Sequence, residues 1–95
     1  MQTIIGVLTL DIHIPYSGSL KEKRMVVKSI KDKLHHKFNV SVAEVDFTDK
    51  WQRTRLGIVQ VGSDYKYIEK NMDIIFNLID SNDAIEIVDH NFEFI

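Results

Sequence analysis

Apolar residues recur along this chain at two periods, two and about 3.6, and the order in which those periods alternate leaves few folds open. From Thr3 to Ile14 the pattern is strict alternation. Gly6, Leu8, Leu10, Ile12 and Ile14 share one face, and Ile5, Val7, Thr9, Asp11 and His13 share the other. This is a long strand, closed by the turn-forming run Pro15-Tyr16-Ser17-Gly18. Ser19-Leu20-Lys21-Glu22 then reads as a capping box: the Ser19 hydroxyl accepts from the N–H of Glu22, whose carboxylate reaches back to the N–H of Ser19. The helix that follows gathers Leu20, Val27, Ile30, Leu34 and Phe38 on one apolar face, with Val26 at its margin.

Asn39 to Phe47 is predicted as a second strand. Its alternation changes phase between Val40/Val42 and Ala43/Val45/Phe47, which calls for a bulge. Thr48 to Thr54 connects it, through Trp51, to a third strand from Arg55 to Val61. Gly62-Ser63-Asp64 caps a second helix, whose core stripe is Tyr65, Ile68, Met72, Ile75 and Ile79. Tyr67, Ile74 and Leu78 form a narrower stripe nearly opposite. Ser81-Asn82-Asp83 ends the helix, and Ala84 to Phe94 is the last strand.

The order is therefore βαββαβ. Right-handed crossovers turn that order into a ferredoxin-like α+β sandwich, a four-stranded antiparallel sheet of order 4-1-3-2 with two helices on one face. The 95 residues contain no linker and no repeat, so residues 1–95 are expected to form a single ferredoxin-like domain. Its other sheet face is expected to stay open.

A composition of 44% hydrophobic and 27% charged residues suits a folded chain rather than a disordered one. Without cysteine there is no disulfide or thiolate chemistry. No basic start leads into a long apolar run, and no stretch approaches the roughly 20 apolar residues of a membrane helix. The expected location is the cytoplasm, with no membrane partner.

The net charge of −2 conceals a separation. Residues 20–55 hold ten of the twelve Lys and Arg against five acids, whereas residues 64–95 hold two against eight. Such an asymmetry suits an anionic partner on one side, or association between unlike faces.

Several segments together resemble the YlxP-like family of small bacterial proteins: Ser19-Leu20-Lys21-Glu22-Lys23-Arg24, Phe38 through Asp46, Trp51-Gln52-Arg53 and Leu56-Gly57-Ile58. The resemblance runs over essentially the whole chain. It implies a ferredoxin-like fold and no established activity. Family members are often encoded beside translation-initiation and ribosome-maturation factors, so the resemblance also implies association with RNA or a ribosomal particle.

Two features could carry that association. Lys21, Arg24, Lys28, Lys31 and His35 are spaced three, four, three and four apart, and so line one flank of the first helix. A phosphate backbone could follow them, although a solvated flank whose long stems cover the core edge needs the same residues. Lys50-Trp51-Gln52-Arg53-Thr54-Arg55 interleaves an aromatic with cations, so Trp51 could stack on an unpaired base while Arg53 and Arg55 meet phosphates. The competing reading, favoured by how often tryptophan is buried, folds Trp51 over the core with Arg53 stacked on it.

The alternative class of function is a homodimeric interaction module. Its contact residues would be Ile5 and Val7 on the open sheet face and the Tyr67, Ile74 and Leu78 stripe. A small phosphate-ester enzyme is the remote alternative; it requires a pocket that joins Arg24 or Arg53 with an acid and a histidine. None of GxxxxGK[ST], GxSxG or HExxH occurs. His13, His35, His36 and His90 fall on different elements or at the wrong helical spacing for a metal. No catalytic residue, metal or cofactor is expected.

Overall fold

The computed structural model describes residues 2–95. It runs β1 (Ile4–His13), α1 (Leu20–Lys37), β2 (Ser41–Asp46), β3 (Arg53–Gly62), α2 (Tyr65–Asp80) and β4 (Glu86–Phe94). The strands form one antiparallel sheet in the order β2-β3-β1-β4, the predicted ferredoxin-like topology. The strands differ from the sequence reading mainly at their ends. Thus β2 and β4 are shorter than expected, and β3 begins two residues early because Arg53 still pairs with His13 at the end of the long β1.

The alternation of β1 sorts the sheet into two faces. Leu8, Leu10, Ile12 and Ile14 meet Leu56 and Ile58 of β3 on the helix side, where Val27, Ile30 and Leu34 of α1 and Ile68, Met72, Ile75 and Ile79 of α2 close one buried core. Burying such side chains contributes roughly 1.5–3 kcal/mol each and is the main stabilising term. Gly6 belongs to this face for a steric reason: a Cβ there would lie 2.6 Å from Ile68 Cγ2, so only glycine lets α2 come this close. Gln60 and Asn71, both buried, satisfy each other at 3.2 Å. Tyr65, predicted as core, is instead partly exposed and leans its ring on Phe94 at the edge.

Helix α1 packs against β2, and α2 against β1, β3 and β4. The predicted bulge in β2 is present, with the pairing against β3 shifting between Glu44 and Asp46. A second shift, between β1 and β4 at Asp11/Ile12, had no clear signal in the alternation. Among the described residues no helix is long and apolar enough to cross a membrane.

Candidate nucleic-acid interface

The β1–α1 loop leads into the cap that starts the basic flank. Ser19 Oγ accepts from the N–H of Glu22 at 3.1 Å, as expected. The Glu22 carboxylate accepts from the N–H of Gly18 instead of that of Ser19, one residue beyond the predicted partner. Leu20 to Lys37 then form α1, and its three-four spacing sets Lys21, Arg24, Lys28, Lys31 and His35 along one flank. Lys31 is half-buried and the other four are exposed.

An open groove of about 360 Å³ runs beside this flank, lined by Arg24, Lys28, Lys31, Asp32 and His35 of α1 and, from β2, by Glu44. Lys28 pairs with Asp32 at 2.9 Å, and that hydrogen bond holds its ammonium protonated above the ordinary lysine range. Among the described residues Lys21, Arg24 and Lys31 form no ion pair. The groove does contain an arginine, an acid and a histidine. Arg24 and His35 are eleven residues apart on α1, however, or roughly 16 Å along its axis, so they do not converge on one reacting atom.

The Glu44 carboxylate at the groove is paired by a residue that the sequence reading passed over. Lys23 is completely buried. Its Nζ donates to the carbonyls of Phe47 at 2.8 Å and Thr48 at 3.2 Å and meets Glu44 Oε2 at 2.9 Å. The same carboxylate oxygen accepts from Thr54 Oγ1 at 2.5 Å. All three ammonium donors are thus used, as a buried charge requires. Glu44 reaches the groove with its charge already matched. The signal was there: Lys23 falls in the same row as Leu20, Val27, Ile30 and Leu34 on the apolar stripe.

The segment Lys50 to Arg55 is divided between two places. Lys50 and Trp51 lie in the β2–β3 turn, and Trp51 is 55% exposed rather than folded over the core. Arg53 and Arg55 lie in β3 on the open face. Arg55 donates to Asp11 through Nε at 2.5 Å and Nη2 at 3.1 Å, and to Asp46 at 3.1 Å. Arg53 approaches Asp11 at 3.8 Å and stacks 4.1 Å from the centroid of Phe47, not on Trp51. The turn residue Phe47 has φ of 60°, an uncommon conformation for a side chain of its size. The Arg55 hydrogen bond outweighs partial burial and holds the Asp11 carboxyl below its ordinary pKa.

Ile5 and Val7 are half-buried on the open face, paired with Val61 and Val59 in a short aliphatic band. Of the stripe on α2, Tyr67 is 61% and Ile74 42% exposed, whereas Leu78 packs against the core. The histidines stay apart: His13 lies 3.4 Å from Glu86, His35 and His36 are on α1, and His90 packs on Phe76. Among the described residues no three His, Asp or Glu side chains gather as a metal site needs.

The sequence matches the family model described as "Protein of unknown function (DUF503)" over residues 5–92, which reach into all six elements. It is similar to the "Uncharacterized protein YlxP" of Bacillus subtilis (strain 168), with 42% identity over 83 residues covering 87% of this chain and 90% of that protein.

Proposed function

The chain belongs to the DUF503 family, and from that premise we propose that it is a non-catalytic cytoplasmic module that associates with RNA or a ribosomal particle, in translation or ribosome maturation, through the flank of α1. The observation that carries this reading is the uncompensated row: among the described residues Lys21, Arg24 and Lys31 have no ion-pair partner, and the one β2 carboxylate beside them is held by Lys23. Neutralising phosphates with such a row releases counterions, so affinity falls steeply with salt.

The test is filter binding of a structured RNA across a salt series. Lys28→Glu with Lys31→Glu should weaken binding at least about tenfold and flatten the salt dependence, by about 0.7–0.9 in log–log slope for each phosphate no longer neutralised. The matched pair Lys66→Glu with Lys70→Glu on α2 should change little. Equal losses from both pairs, or no affinity at low salt, would remove the reading.

A second reading has its own observation. The open face carries the Ile5, Val7, Val59 and Val61 band, with Val61 62% exposed, and an aliphatic band of this kind suits a second copy better than bases. Sedimentation at high concentration decides it: a clean monomer counts against the homodimer.

A further inference from the structure

Two loops meet at the end of the sheet where α1 begins. The β1–α1 loop presents Tyr16 at 88% exposure, and the β2–β3 turn presents Trp51 at 55%. Single exposed aromatics are ordinary, but these two are on loops that are firmly tied. The backbone carbonyl of Gln52 accepts from the N–H of Ile14 at 2.9 Å. Its side-chain amide donates to the carbonyls of Pro15 at 3.2 Å and Ser17 at 3.1 Å. From the core side Lys23 holds the carbonyls of Phe47 and Thr48, and the N–H of Lys50 closes the turn on Phe47 at 3.0 Å. Folding thus orders both loops and still leaves Tyr16 largely, and Trp51 about half, exposed. Lys50 adjoins Trp51, and Lys21 begins the cationic flank five residues after Tyr16.

We infer that this end is a stacking platform for unpaired bases, on which Trp51 and Tyr16 each offer a face while Lys50 and Lys21 meet the adjoining phosphates. The platform rests on the reading of α1 as a phosphate-binding flank and adds a selectivity to it. A continuous duplex can engage only the flank, whereas a strand with unpaired bases engages flank and platform together. Because the loops are ordered beforehand, little of the stacking energy is spent on arranging them. Alanine substitution at a base–aromatic stack of this kind typically weakens binding about tenfold or more.

Trp51 is the only tryptophan, so its emission reports on the platform directly. The intact protein is titrated at low salt with a short oligouridylate and with a blunt RNA duplex of equal charge, and binding is followed in parallel by filter retention. Quenching is expected with the single strand and not with the duplex. Tyr16→Ala, which keeps the reporter, should weaken oligouridylate binding about tenfold and leave duplex binding unchanged. Trp51→Ala should do the same and Trp51→Phe should recover part of the loss, with all three variants melting like the parent. Unchanged emission at saturating oligouridylate, or equal losses on both ligands, overturns the platform and leaves the flank standing. No binding of either ligand overturns both.

Discussion

Two ionic clusters occupy the same end of the sheet on opposite faces, and they are built to different standards. On the helix side, Lys23 and Thr54 are fully buried, Glu44 reaches them from the groove wall, and every ammonium donor is spoken for. On the open side, Arg55 is shared between Asp11 and Asp46 while Arg53 rests on Phe47, and most of these groups remain in contact with solvent. The acids involved, Glu44 and Asp46, are two residues apart in one strand. An uninterrupted pleat would put both on one face. The β2 bulge sends them to opposite faces, so one irregular residue separates a dry cluster from a wet one. In the dry cluster a missing partner strands a charge; in the wet one, water substitutes.

The comparison breaks most visibly at Lys23. Lys23→Met leaves Glu44 without its cation and frees two turn carbonyls, and removing one member of a buried pair costs about 3–5 kcal/mol. Urea unfolding should show most of a small protein's stability gone. Adding Glu44→Gln removes the stranded charge, and the double variant should recover more than about 1 kcal/mol of that loss. If the two changes simply add, the pair is not coupled as the distances indicate.

Arg55→Gln should have a much smaller effect, no more than about 5 °C in melting temperature, and less in high salt. Its signature is in the acid limb. Arg55 lowers the Asp11 pKa in the folded protein, so the stability from this pair is complete above the unfolded value near 3.9 and is lost as pH falls through the lower folded value. The gap between parent and variant should therefore be constant above about pH 5 and close below about pH 4. A gap that widens on acidification would contradict the pairing.

The fold was legible because nearly every element states its period, and the antiparallel order follows from crossover handedness once six elements are known. The existence of a bulge in β2 was legible too, but not its place: the alternation put the slip between Val42 and Ala43, whereas the pairing shifts between Glu44 and Asp46. Lys23 was not, because a lysine reads first as a solvated cation, even where its position in the apolar row of α1 marks it as inward. Buried lysine is rare enough that composition argues against it, and only its carbonyl and carboxylate partners, 21 to 25 residues away, make the burial tolerable. Trp51 failed for a related reason. The frequency with which tryptophan is buried says nothing about a turn fixed in place by Gln52 and Lys23. Arg53 does not sit at a loop tip because β3 starts two residues earlier than its hydrophobic pattern shows, and Arg55, within the strand, is held by Asp11 and Asp46.

The strand order has an electrical consequence. Since α1 lies toward the β2 margin and α2 covers β1, β3 and β4, the cation-rich and acid-rich stretches of the chain are carried to opposite margins of the sheet. The molecule thereby has a dipole moment running crosswise to its strands, although its overall charge is only −2. Near any strong polyanion such a body experiences a torque before it is touched, and it arrives with one margin leading. Added salt should accordingly slow capture more than it hastens release.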